Sequence, residues 1–230
     1  MDSNPLRHRG SEFRMYRMKQ ILLAKDSGYP PAVGTWETLQ TLAELDEMHS
    51  VEQYEDYFAR RVGDESHFGE ICPQYSLMPP ETYRRISSMG FETRLLFFMR
   101  DPTDRIASNI QHILRRKNCS VDDLIDSLTP DSLMYQRSDY CLTLDAYHRS
   151  GVDIPMKTFI YEELFNEDAV ESLCDFLGIE RKQADFEKRV NAARGVEITP
   201  SQKKCIRKKL EPVYAKLAEN LDEKPTSWRW

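Results

Sequence analysis

Apolar residues fall into two kinds of pattern along this chain. At Leu95-Leu96-Phe97-Phe98-Met99 they form a short unbroken run, too short for a typical helix and hydrophobic on both faces, which predicts a buried parallel strand. Pro155 to Tyr161 predicts a second one. Elsewhere they recur at helical spacing. Ile106, Ala107, Ile110, Ile113 and Leu114 predict a helix from about Thr103 to Lys117, with Asp101 as its N-cap and Pro102 as its first residue. Leu124, Ile125 and Leu128 mark a shorter helix that opens at Ser120 and stops before Pro130, and Tyr140, Leu144 and Tyr147 one over about Ser138 to Arg149 that ends at Gly151. Ala169, Val170, Leu173, Phe176 and Leu177 share one face of a further helix with a stop at Gly178. Thr199-Pro200 opens the last helix, with Ile206, Leu210, Val213, Tyr214 and Leu217 inward, and Pro212 makes it a kinked helix or two segments. Nearer the start, Leu39, Leu42, Ala43 and Leu45 predict a short helix, and Val51, Tyr54, Tyr57 and Phe58 another whose aromatic face is expected to pack in the core. Strands separated by helices make this an α/β chain, with a short parallel sheet flanked by helices.

Composition narrows the class. The 230 residues are 40% hydrophobic, enough for one ordinary globular domain, expected over residues 14–230. Residues 1–13 are polar and aperiodic, and Gly10-Ser11-Glu12-Phe13 reads as a cloning scar, so a tag or disordered leader is expected there. No run approaches the length of a membrane span and no apolar signal segment follows Met1, so a cytoplasmic protein without membrane contact is expected. A net charge of −6 argues against nucleic acid as the main partner, because backbone phosphates are bound through a basic surface. The five cysteines are an odd number without C-x-x-C spacing, which favours a reducing compartment over a disulfide framework and argues against structural zinc.

The chemistry concentrates at Arg100. It follows a predicted strand and precedes a helix start, the edge of an α/β sheet at which ligands bind, where open N–H groups and the helix dipole favour an anion. A guanidinium fork suits phosphate oxygens, and Ser108 adds a hydroxyl along the same helix. The alternative is that Arg100 pairs with Asp101 or Asp104 and that Ser108 is an ordinary helix serine. Arg105, Arg115, Arg116 and Lys117 lie near enough in sequence to join a cluster, although the last three are expected to be a solvated helix end. Glu162 and Glu163 are adjacent and so diverge in direction, which argues against a shared catalytic proton. His49, His67, His112 and His148 show no convergent carboxylate spacing and are read as surface residues.

R-D-P-x-x-R-x-x-S after an apolar strand resembles the segment of the sulfotransferase family that holds the 3′-phosphate of PAPS, the donor 3′-phosphoadenosine 5′-phosphosulfate. Gly69-Glu70-Ile71-Cys72-Pro73-Gln74-Tyr75 is similar to that family's G-E-x-[ST]-P-x-Y stretch. Phe159 to Leu164 resembles its Y-E-[DE]-L turn, Phe176-Leu177-Gly178-Ile179 its F-L-G-[LI] helix end, and Pro225 to Trp228 the close of many bacterial members. The likeness covers roughly Tyr54 to the C-terminus. It implies a P-loop-nucleotide-like fold, PAPS as donor and PAP as product, no metal, Arg100 and Ser108 as phosphate contacts, and transfer of a sulfuryl group to a hydroxyl or amine of a small molecule or glycan. Tyr54 or Tyr57 in the acceptor pocket is the minor alternative to core packing, and Tyr140 falls where members carry S-x-Y or R-x-Y near the nucleotide.

Two departures stand out. The family opens with a strand and a [KR]-[ST]-G-[TS]-[TS] loop around the 5′-phosphosulfate; the closest fragment here, Val33-Gly34-Thr35-Trp36, has no Lys and follows Pro30 and Pro31. Arg17-Met18-Lys19-Gln20 aligns better, over the family's later V-K-E, and puts Gln20 where the base candidate stands, a side chain that cannot accept a proton at neutral pH. The leading expectation is therefore a PAPS-dependent sulfotransferase with its general base unassigned. The alternative is an impaired or truncated relative that holds 3′-phosphoadenosine nucleotide or serves as an interaction module. A sheet without its first strand would carry an open edge, which homodimerisation would cover.

Overall fold

The structure is a computed structural model that describes residues 50–115, 117–181, 183–187, 196–228 and 230. The expected leader, the fragments at Arg17 to Gln20 and Val33 to Trp36, the helix around Leu39 to Leu45, His49 and Arg116 lie outside the described residues. Two compact units make up the chain, one ending at Glu65 and one from Ser66 to Trp230.

In the first unit, α1 (Val51–Ala59) starts at Ser50, which forms a reciprocal capping box with Gln53. Tyr54 and Phe58 rings meet at 4.9 Å and Tyr57 and Phe58 at 5.2 Å, so the aromatic residues do share a face. None of α1's residues is buried, contrary to the expected core packing. Periodicity selects a face; burial depends on the element opposite.

The second unit is mixed α/β and mostly helical. Its order is a 3₁₀ turn (Pro73–Leu77), α2 (Pro80–Ser87), β1 (Leu95–Met99), α3 (Pro102–Leu114), α4 (Val121–Asp126), α5 (Leu133–Gln136), α6 (Tyr140–Ser150), β2 (Met156–Ile160), a 3₁₀ turn (Tyr161–Glu163), α7 (Glu167–Leu177), α8 (Pro200–Lys209) and α9 (Glu211–Asn220). The two strands pair in parallel, from Leu95 opposite Met156 to Met99 opposite Ile160. Parallel pairing demands a long crossover, which α3 to α6 supply.

Helix packing, more than the sheet, makes the core. Ile106 and Ile110 of α3, Ile206 of α8, Leu210, and Val213 and Leu217 of α9 are fully buried, and Met99 at the end of β1 joins them. The strand expected to be buried on both faces is buried only at Met99; Phe98 stacks on Phe159 at 5.6 Å yet stays 41% exposed. Over the other end of that face lies α7, with Lys157 Nζ donating to Ser172 Oγ at 2.6 Å and to its carbonyl at 3.2 Å. Pro212 falls in the first turn of α9, where a missing N–H costs nothing, so the last helix is two segments joined at Leu210. The helix predicted from Ser138 begins at Tyr140 instead, because Ser138 and Asp139 form the turn that leaves α5. No helix among the described residues is long and apolar enough to cross a membrane.

Candidate functional site

Parallel register places Arg100 and Tyr161 side by side as the two strands leave the sheet. The turn that follows β1 is held by residues from three distant parts of the chain. Tyr140 Oη, at the start of α6, accepts from Arg100 N at 3.1 Å and donates to Arg100 O at 2.8 Å. Glu162 Oε1, just past β2, accepts from Asp101 N at 3.0 Å. Tyr214 Oη of α9 accepts from Thr103 N at 3.1 Å and donates to Asp101 Oδ1 at 2.9 Å, with Thr103 Oγ1 also at 2.9 Å. Asp101 Oδ1 in turn accepts from Asp104 N at 3.0 Å, the N-cap bond expected of it. Each backbone polar group of the turn named here thus has a side-chain partner, as a buried loop requires.

Burial pushes the Tyr140 phenol up to about 12 and raises that of Tyr214 further. Both therefore remain protonated donors at neutral pH, which suits their place against a carbonyl and a carboxylate.

Glu162 is itself held from the C-terminal end of the chain. Trp228 Nε1 donates to its Oε2 at 3.0 Å, while Ser227 Oγ donates to Glu163 Oε1 at 2.9 Å. The two glutamates diverge, one into the turn and one outward, as adjacent positions do. Trp228 is buried, 6.2 Å from the Tyr140 ring, so R-D-P, the Y-E-E turn, Tyr140 and the closing tryptophan meet at one edge of the sheet.

With its backbone fixed, Arg100 presents a partly open head group. Its guanidinium lies over the Tyr161 ring at 5.1 Å, its side chain is about a third exposed, and Nε stands 3.8 Å from Glu162 Oε1. That separation is an ion pair and too long for a hydrogen bond. Nε is buried with no hydrogen-bond partner among the described residues. The pairing weighed from sequence, with Asp101 or Asp104, gives way to Glu162: Asp101 caps the helix and Asp104 takes Lys203 Nζ at 2.6 Å.

Ser108 is exposed on α3, roughly 9 Å along the axis from Pro102 at 1.5 Å per residue. Arg105 turns inward, Nη1 donating to Ser138 Oγ at 3.0 Å and to Met134 O at 3.4 Å, which ties α3 to α5 and removes it from an anion cluster. Burial pulls its guanidinium below the usual arginine range, and the neighbouring Arg137 charge acts in the same direction. Arg115 and Lys117 are exposed, as expected of a helix end. His67 is exposed and bonded to Ser66 Oγ at 2.9 Å, and His112 and His148 are exposed too. The Gly69 to Tyr75 stretch leads into the first 3₁₀ turn, which Thr143 Oγ1 of α6 anchors by donating to Ser76 O.

Sequence reasoning missed Tyr214 and Trp228 as holders of the turn. A buried tyrosine or tryptophan needs a polar partner, a signal that was present. The partner's identity was not, since Thr103 lies 111 positions from Tyr214. Among the described residues, no three His, Cys, Asp or Glu side chains come close enough to hold a metal ion. No family model matches the chain, and no curated protein matches it.

Proposed function

We propose that this chain binds the 3′-phosphoadenosine half of PAPS at the carboxyl edge of β1 and acts as a sulfotransferase toward a hydroxyl or amine on a small molecule or glycan. One observation carries the reading. Arg100 is anchored through both backbone groups, yet its side chain is partly open at the sheet edge and the carboxylate of Glu162 stands off at 3.8 Å, so the guanidinium fork keeps capacity for an anion's oxygens. Ser108, exposed farther along α3, is the second phosphate contact. The donor supplies the sulfuryl group; the chain's part at this edge is to fix the 3′-phosphate and so position the nucleotide.

A second reading follows from the sequence itself, which contains no [KR]-[ST]-G-[TS]-[TS] loop of the kind the family wraps around the 5′-phosphosulfate. On it the chain holds 3′-phosphoadenosine nucleotide without rapid transfer, because each missing donor to the transferred group costs about 10² to 10³ in rate.

Calorimetric titration with PAP and with adenosine 5′-phosphosulfate, which lacks the 3′-phosphate, tests both. Binding of PAP alone is expected, and Arg100→Ala is expected to weaken it by about 1.5 to 3 kcal/mol, roughly tenfold to a hundredfold. Failure to bind PAP, or an Arg100→Ala variant that folds and binds equally well, overturns the assignment. Turnover of PAPS with an acceptor panel then separates the enzyme from the non-catalytic binder.

A further inference from the structure

The geometry points to Trp228 as a positioning residue that keeps Glu162, already ion-paired with Arg100, from also taking up its hydrogen-bond donors. Glu162 is the carboxylate nearest to Arg100 in the described ion pairs, and a carboxylate there is the natural competitor of any incoming anion. A guanidinium and a carboxylate normally close into a bidentate, fork-to-fork pair. Here they do not.

The reason lies in who holds the two oxygens. Oε1 is occupied by the Asp101 amide at 3.0 Å and Oε2 by the Trp228 indole N–H at 3.0 Å, both neutral donors from rigid surroundings. Trp228 is itself locked, buried at 4% exposure between the Tyr140 ring at 6.2 Å and the Trp230 ring at 5.7 Å. Ser227 adds a bond to Glu163, so the closing segment grips the turn after β2 at two adjacent positions. With the plane of the carboxylate fixed in this way, Arg100 Nε is left 3.8 Å from Oε1 and without an acceptor.

Loss of the indole N–H frees Oε2. The carboxylate can then rotate about its terminal bond toward the guanidinium and take the fork that an anion would otherwise take. Trp228 thus governs how available Arg100 is, although it contacts neither Arg100 nor a ligand through the bonds described. The inference rests on the reading of Arg100 as the anion-binding group, and it sharpens that reading by naming what holds the group open.

The test uses the full chain in four forms: wild type, Trp228→Phe, Glu162→Gln and the double variant. Phe keeps an aromatic ring against Tyr140 and removes only the N–H donor and the second ring. Labelling with phenylglyoxal, followed by mass spectrometry of the peptide that contains Arg100, reports the free guanidinium without any nucleotide. Trp228→Phe should label at Arg100 about threefold to tenfold more slowly than wild type, and the double variant should regain the wild-type rate, because a side-chain amide in place of the Glu162 carboxylate carries no charge to pair. A variant that merely loosens the fold would label faster, the opposite direction.

Equal labelling of wild type and Trp228→Phe, or slow labelling that persists in the double variant, overturns the inference. PAP titration of the same four proteins keeps the two claims apart. Trp228→Phe should bind PAP several-fold more weakly than wild type, and no weaker than Glu162→Gln when both changes are combined. Normal labelling shifts with no PAP binding in any form would sink the nucleotide reading and leave the role of Trp228 standing.

Discussion

Tyr214 lies in an apolar stripe, yet its hydroxyl makes three polar contacts beside the Arg100 turn. It serves Thr103 N, Thr103 Oγ1 and Asp101 Oδ1 within 3.1 Å, all in the buried interior. Tyr214→Phe leaves an amide and a carboxylate oxygen short of a partner, and should lower unfolding free energy by about 1 to 3 kcal/mol in urea titration. An unchanged midpoint would mean that the turn reorganises without cost. Cysteines offer a second residue-scale check. Cys141 is buried, and burial first of all pushes its thiol up to about 11, whereas Cys205 is exposed. Iodoacetamide at neutral pH should modify Cys205 in the native protein and leave Cys141 unmodified until urea is added, as peptide mass spectrometry would show.

Helix ends were the most legible elements, because their signals are local. Asp101 before Pro102, the capping box of Ser120 with Asp123, and that of Thr199 with Gln202 all appear as the residue types predict. Gly151 and Gly178 stop their helices at φ 67° and 70°, the left-handed region that a side chain enters only at a cost. Gly178 carries a further constraint: a Cβ there would stand 3.1 Å from Arg94 Nη1, which donates to Phe176 O at 2.7 Å. Gly178→Ala should destabilise the protein by about 1 to 2 kcal/mol in denaturant unfolding, and Gly151→Ala, with open space around it, by the backbone term alone. Equal losses at the two sites would refute the contact argument. Strand burial was less legible than strand position. Leu95 to Met99 and Met156 to Ile160 lie where apolar runs predict strands, but an apolar run cannot state what packs over each face, and Phe98 stays 41% exposed.

At the scale of the whole molecule, stability should fall at alkaline pH. Tyr140 holds its proton up to about 12 in the folded protein, and Tyr214 is raised as well, whereas an unfolded tyrosine releases its proton near 10. The folded state then binds more protons than the unfolded one, so stability from these groups is complete below about pH 10 and is lost as pH rises toward 12, by up to about 1.4 kcal/mol per pH unit for each tyrosine. Urea midpoints measured at pH 9, 10 and 11 should decline, and less steeply in Tyr140→Phe; a flat profile would contradict the burial argument. The sequence by itself determined what depends on near neighbours: two apolar strands, helix faces, caps and glycine stops, and Arg100 at a strand-to-helix turn. Only the tertiary structure decided that Arg105 turns inward to Ser138, that Glu162 stands beside Arg100, and that Tyr140, Tyr214 and Trp228 hold the turn between them. Those partners lie 33 to 113 positions apart, and hydrogen-bond geometry over such distances is fixed by how the helices pack, which no local pattern encodes.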